Sequence, residues 1–476
     1  MAGKLGRREF LGGTAAACVL GLAAPGLLAA GAPPRLPALV SPGCRGTRVR
    51  VGKIYMGTPG GHWPTPKLDL KAEVQAYEAR FGQMSKDLSD VDFVVSELVT
   101  SQEQMRNLGP KLADVDGILL IHLSMGIGGI VNEVVSLARP TVLFAVPYSG
   151  HEWTWFGSLR QRKENALLDC ILTSDYNQLA VAIRPFRAIH HLREAKILDI
   201  TKNQLPTDYV NSVKAKFGTE IKRIDREQVL AAYNAVSDAE AQAETQRWMS
   251  GATKIVEPPK EEIFKSCKLA LALQSMMDQE HATLATVDCY GSMWRQLPAY
   301  PCLGLTRLDD MGLAGTCESD LSSAVTSILF QGLAGRPGFV TDPTVDESKD
   351  AIILAHCRAP TKMDGPDGPQ APYKLRTIME RQEGAVAQVK MRIGERVTQA
   401  ELLGTDLMLY FTGTIIETPD LDRGCRTKIT VKVDGDIEKL WQNWSNGLHR
   451  TTCYGDLTKD LRRFCKFKQI NLVNEA

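Results

Sequence analysis

DGILLIHL, residues 116–123, decides the fold. Branched apolar residues fill 118–121 without a polar break. A strand with one face in water alternates polar and apolar, so an unbroken run needs cover on both faces, as in a parallel sheet between helices. The neighbouring segments repeat the pattern. PTVLFAVP (140–147) follows it, and VRVGKIYMG (49–57) and DFVVSELV (92–99) precede it. KAEVQAYEARFGQM (71–84) has helical spacing between the first two runs. Strand and helix alternating in this way predict a Rossmann-like α/β domain with a parallel sheet, over residues 47–195.

Downstream, KILDIT (196–201) opens a second α/β domain, expected over 196–340. The segment 227–252 reads as one long helix ending at Gly251, and 261–280 as another. HATLATVDC (281–289) is strand-like. SDLSSAVTSILFQGLAG (319–335) reads as a helix capped by Ser319 and stopped by Gly335. Beyond residue 340 the character shifts. AIILAHC (351–357), GAVAQVKMRI (384–393), DLMLYFTGTIIET (406–418) and CRTKITVKVD (425–434) are strand-like runs joined by Gly, Pro and Asp. They predict a β-rich, barrel-like C-terminal domain over 341–476, carrying His449, with a last helix at 456–467.

The N-terminus stands apart. Arg7 and Arg8, followed by Phe10 and Leu11, precede an Ala-rich apolar run and small residues at 29–32. That order reads as a twin-arginine export signal over 1–32, followed by a Pro- and Gly-rich linker over 33–46. A periplasmic or extracellular location is expected. The apolar run, broken by Gly21, Pro25 and Gly31, is too weak for a stable membrane span.

The chain has 476 residues, a charged fraction of 23% and a formal net charge of +1. Such a balance calls for no nucleic acid and no anionic membrane as partner. The eleven cysteines form no CxxC pair, so a zinc ribbon is not supported. Most read as buried thiols, with a disulfide at Cys44 left open. SMGIGG (124–129) lacks the dinucleotide-binding spacing.

Four segments are candidates for chemistry. QLPAYPCLGLTRLDDMGLAGTCESD (296–320) sets Glu318 at a helix entrance, where the positive helix end favours an ionised carboxylate. PGFVTDP (337–343) sets Asp342 at the end of an apolar strand. ILAHCRAP (353–360) carries His356, and GLHRTTCYGD (447–456) carries His449. Taken singly, each has an ordinary structural reading: a helix-end charge, a turn before proline, a hydrogen-bonded histidine.

Together they resemble a family. PAYPCLGLTRLDDMGLAGTCESD and FQGLAGRPGFVTDP are similar to the stretches of L-fucose and L-arabinose isomerases that carry two metal carboxylates. AHCRAP, CRTK and HRTTCYGDLTKDLRRFCKF resemble later blocks in the same order. The likeness covers residues 285–476 well. It implies one divalent cation, usually Mn²⁺, held by Glu318, Asp342 and His449, with His356 as a fourth ligand or a neighbour of the ligands. Hard oxygen donors with imidazole suit Mn²⁺, with Mg²⁺, Co²⁺ and Fe²⁺ as lesser options.

The implied reaction is aldose–ketose interconversion of a sugar through a cis-enediol, with Glu318 and Asp342 moving the proton. A related epimerase or retro-aldol lyase, and a non-catalytic sugar-binding protein, are the alternatives. Arg426, with Thr427, and Gln296 and Tyr300 are candidates for contact with the sugar. GTPGGHW (57–63) and SGHEWTW (149–155) add His and Trp after strands of the first domain. The resemblance also implies a homo-oligomer, a trimer or hexamer.

Overall fold

The computed structural model describes residues 37–444 and 446–476, so the segment read as an export signal and the first part of the expected linker lie outside the described residues. Five parallel strands form the first sheet: β1 (Val49–Met56), β2 (Val91–Val99), β3 (Gly117–His122), β4 (Thr141–Ala145) and β5 (Leu168–Leu172), in the order β2-β1-β3-β4-β5. Every residue of β3 is buried, as its unbroken apolar run requires. Gly117 opens β3 because a Cβ there would overlap the ring of Phe186 on helix Gln178–Glu194.

A second parallel sheet joins β6 (Lys196–Ile200), β7 (Glu220–Ile224), β9 (Leu284–Val287) and β10 (Ala314–Cys317) in the order β10-β9-β6-β7. The short β8 (Lys254–Ile255) pairs instead with β13 (Tyr373–Arg376), which pairs with β14 (Val386–Val389). The segment 227–252 is two helices, Arg226–Ala235 and Asp238–Gly251, rather than one. The apolar spacing continues across the break, which hides it. Ser237 interrupts the helix by capping the second half in a reciprocal box with Glu240. Ser237→Ala is expected to destabilise the protein by about 1 kcal/mol, seen as a lower midpoint in urea unfolding.

The C-terminal part is a closed antiparallel barrel. Its strands are β11 (Phe339–Asp346), β12 (Ala351–His356), β15 (Arg396–Leu403), β16 (Leu407–Glu417), β17 (Thr427–Val433) and β18 (Arg450–Tyr454). They run β15-β18-β11-β12-β17-β16, and β15 pairs back onto β16 to close the ring. Closure removes exposed edges. β19 (Asn471–Asn474) adds in parallel to β16. Of the expected run 384–393, only 386–389 is strand, and β15 was not among the expected strands.

Helix Leu321–Ala334 is buried on almost every side and packs against helix 178–194 and β15. A helix apolar all round belongs in a core. Its N-terminus is therefore a fixed point between the second sheet and the barrel. Helix Thr458–Lys468 packs with helix 178–194. No helix among the described residues is long and apolar enough to cross a membrane.

Candidate metal centre

Barrel register brings three of the expected side chains to one rim. β18 pairs with β11 so that Arg450 faces Thr341, and one step further His449 meets Asp342. β12 lies on the other side of β11 with Ala355 opposite Asp342, next to His356. Asp342 thus lies inside β11 rather than at its end, flanked by the two histidines. Glu318 comes from the second sheet, as the first residue past β10.

The four side chains converge. His449 Nε2 lies 3.2 Å from Asp342 Oδ1 and 3.8 Å from Glu318 Oε2, and His356 Nε2 lies 3.6 Å from Glu318 Oε1. Around an octahedral ion with bonds near 2.1 Å, donors stand roughly 3.0 Å apart when adjacent and 4.2 Å when opposite. All three distances fall in that range. Asp342 Oδ1, His356 Nε2 and His449 Nε2 are buried and make no hydrogen bond. Buried polar atoms are normally satisfied, so three orphans aimed at one point fit a cation that would satisfy them together. Among the described residues, Glu318, His356 and His449 form one of three groups whose donor atoms all lie within 4.8 Å of one another, and Asp342 joins this group through His449. The imidazoles are nearly covered, at 2% and 7% exposed, while the side chains of Glu318 and Asp342 stay about a third open. The arrangement keeps the nitrogen donors covered and leaves the two carboxylate side chains partly open.

The backbone at Glu318 is unusual. Glu318 and Ser319 have φ of 66° and 52°, two consecutive non-glycine residues in the left-handed region. Such residues cost of order 1–3 kcal/mol each and persist where the surroundings hold them. Here the turn swings Glu318 toward the barrel and Ser319 Oγ onto Asp199, to which it donates at 2.6 Å. Ser319 is consequently not the helix cap. Asp320 caps it, accepting from the backbone of Ser322 and Ser323.

Asp320 has a second role. Its Oδ2 lies 2.8 Å from His449 Nδ1, which turns Nε2 toward the centre. Burial works against the charge of Asp320, but His449 and the helix-end hydrogen bonds hold its carboxyl below the usual value. The ionised carboxylate expected at the helix entrance is therefore Asp320. Glu318 goes the other way: burial pushes its carboxyl up, and the two histidines do not fully offset this. His449 loses stability as a cation through burial, yet its hydrogen bond to Asp320 and the Asp342 carboxylate close by hold it up at about 10. Asp320→Ala is expected to weaken Mn²⁺ binding by about 10–100-fold, read by calorimetry, and to lower stability by about 1 kcal/mol through loss of the cap.

The centre adjoins a cavity of about 440 Å³ at the carboxyl ends of the second sheet, lined by Asp199, Asp288, Asn203, Tyr209, Glu318 and Asp320 among others. Ligand sites in open α/β sheets lie at such strand ends. Burial, with the nearby Asp288, raises Asp199 to about 6 even though Ser319 donates to it. Asp199 and Asp288 were missed from sequence, although each follows or ends an apolar strand, as Asp342 was taken to do.

The other expected residues lie apart from the centre. Arg426 is buried and donates to Thr377 and Asp422. Thr427 accepts from the Val389 backbone. Tyr300 donates to Glu383 and lines a separate groove of about 390 Å³ with Met293 and Pro298, and Gln296 accepts from Lys202. Trp63 of the first domain packs against His151, ring centroids 4.2 Å apart and planes tilted by 46°. The ten described cysteines, Cys44 included, are free thiols.

Comparison with known proteins gives short and distant matches. No family model matches the chain. A sulfoquinovose isomerase of Alkalicoccus urumqiensis is 22% identical over 209 residues, 42% of this chain and 46% of that protein. Sulfoquinovose isomerases of Priestia aryabhattai and Priestia megaterium are each 24% identical over 101 residues, 21% of this chain and 23% of theirs. The matches therefore span less than half of each relative's length. All three are named as sulfoquinovose isomerases, none as an L-fucose or L-arabinose isomerase.

Proposed function

We propose that this chain is a divalent-metal-dependent isomerase that interconverts an aldose and a ketose. The observation that carries the reading is the convergence of Glu318, Asp342, His356 and His449, with three orphaned donor atoms aimed at one point. Similarity to sulfoquinovose isomerases supports it. The donor set suits Mn²⁺ first. The cation would supply polarisation of two neighbouring sugar oxygens, so that a C–H next to a carbonyl becomes acidic.

The protein's own side chains then do the proton work. His356 and His449 are buried behind the donors and hold their position, His449 through Asp320. Glu318, which lines the cavity, and the partly open Asp342 would take the proton from C2 and return it at C1, through a cis-enediol. The upward shift of Glu318 brings it nearer to neutrality, where a carboxyl group can both accept and give a proton. Asp199 and Asp288 offer acceptors for hydroxyl groups of a sugar in the adjoining cavity.

The test is metal analysis of the purified protein together with a panel of aldoses and ketoses, sulfoquinovose included, run in D₂O. Incorporation of deuterium at C1 of the ketose formed, and at C2 of the aldose recovered, is expected. Protein that binds Mn²⁺ but only cleaves or epimerises the sugars would move the reading to a lyase or epimerase. Absence of exchange with every sugar would end it. The same proposal includes export by the twin-arginine segment and a homo-oligomeric working form. Cell fractionation of Arg7→Lys/Arg8→Lys and light scattering test these two.

A further inference from the structure

β12 and β17 leave the barrel side by side at the rim that carries His356. Their ladder sets His356 opposite Thr427, so Cys357 and Cys425 emerge next to each other just past its end. Glu380 reaches over both. Cys425 Sγ lies 3.2 Å from Glu380 Oε1, and Cys357 Sγ lies 3.9 Å from Glu380 Oε2. All three donor atoms lie within 4.8 Å of one another. The hydroxyl of Tyr290 stands at a fourth corner, 3.2 Å from Glu380 Oε2 and 3.9 Å from Cys357 Sγ.

From these positions we propose a second divalent-cation site, formed by Cys357, Cys425 and Glu380, for a thiophilic metal such as Zn²⁺. The spacing fits a tetrahedral ion. With bonds of about 2.0 Å to oxygen and 2.3 Å to sulfur, tetrahedral donors stand roughly 3.5–3.8 Å apart. The observed separations need only small adjustments. Two thiolates select Zn²⁺ over the hard cations that suit the carboxylate–imidazole centre. Three protein ligands leave the fourth position for water or the Tyr290 hydroxyl. Cys357 is buried while Glu380 is exposed, so the site has a rigid floor and an open side.

The two centres touch at Asp342. Its Oδ1 faces His449 at 3.2 Å, and its Oδ2 lies 3.9 Å from Cys425 Sγ. One carboxylate thus stands between a hard site and a soft one. A metal in the thiol site would draw on the charge of Asp342 and alter its availability at the other centre. The inference rests on these donors alone and does not require the isomerase reading.

Co²⁺ is the probe, because it binds both donor sets and only the thiol site gives a thiolate-to-cobalt charge-transfer band in the near ultraviolet. Chelator-treated, reduced full chain is titrated with Co²⁺ under nitrogen. Two equivalents and a charge-transfer band are expected. Cys425→Ser should remove the band and leave one equivalent, and Glu318→Gln should leave the band in place. Should Cys425→Ser fail to fold, Glu380→Gln at the exposed ligand should still weaken the band-forming site by at least about tenfold. One equivalent without a thiolate band overturns the proposal. So does a Cys357–Cys425 disulfide that survives in the protein as purified, shown by peptide mapping.

Discussion

Glu318→Gln and Asp342→Asn should each lower turnover by about 10²–10⁴-fold, the usual range for losing a positioned acid–base group, while the chain stays folded. Each substitution keeps the size of the side chain and removes its charge. Asp342 Oδ1 has no hydrogen-bond partner to lose. Glu318 is a carboxyl whose burial already disfavours its ionised form. A group shifted upward in the folded state opposes folding wherever it is ionised, above its ordinary value, and not below it. At neutral pH the metal-free Glu318→Gln protein should therefore unfold at the same temperature as the parent or higher. Mn²⁺ should no longer raise that temperature, because stabilisation by a ligand follows its affinity for the folded state. The pair of readings separates loss of the centre from loss of the fold. Near-normal turnover of either variant with Mn²⁺ added would remove the substituted residue from the mechanism.

The fold was legible where one physical rule governs a segment. Residues 118–121 are apolar without alternation, and only a strand covered on both faces accepts that. The barrel was legible as strand-like runs, but its closure was not, because pairing β15 to β16 depends on register across the whole ring. The helix break at 236–237 was hidden since a capping serine leaves the apolar period intact. The metal residues became visible only through resemblance to a family. Spacing cannot assemble them, as Glu318 belongs to a parallel sheet and the other three to adjacent barrel strands. What sequence reading misplaced was the local chemistry. In Cys317-Glu318-Ser319-Asp320 three residues can cap a helix or stay ionised, and a left-handed turn decides among them. The turn gives Asp320 the cap and His449, and sends Glu318 to the centre. Arg426 shows the opposite failure: a family-like block supplied an arginine whose partners, Thr377 and Asp422, are structural.

The gap in unfolding temperature between Mn²⁺-loaded and metal-free protein should widen as pH rises from about 6.5 toward about 10. The reason lies in His449, held up at about 10 against an ordinary value of 6.5. Burial disfavours its cationic form, but Asp320 and Asp342 outweigh burial. A histidine raised in this way stabilises the fold fully below 6.5, and that contribution is lost as pH climbs through 10. Only the metal-free protein has it, because the cation needs the Nε2 lone pair that the proton occupies. Below about 10, binding must expel that proton, so affinity should rise by at least about tenfold per pH unit, and more steeply where His356, raised through Cys317 and Cys357 against its burial, also gives up a proton. The fall in metal-free stability and the growth in metal affinity are the same proton linkage, and it widens the gap. His190 is also raised, to about 10, through Asp116 against its own burial. It bonds Asp116 and the Thr47 carbonyl at the first sheet, so it titrates alike in both forms and cancels in the difference. Asp320→Asn takes away the strongest support for the imidazolium and should shift the window to lower pH. A gap that stays flat from pH 6 to 9 in the parent protein would mean that His449 does not exchange its proton for the metal, and the centre would have to be rebuilt without it.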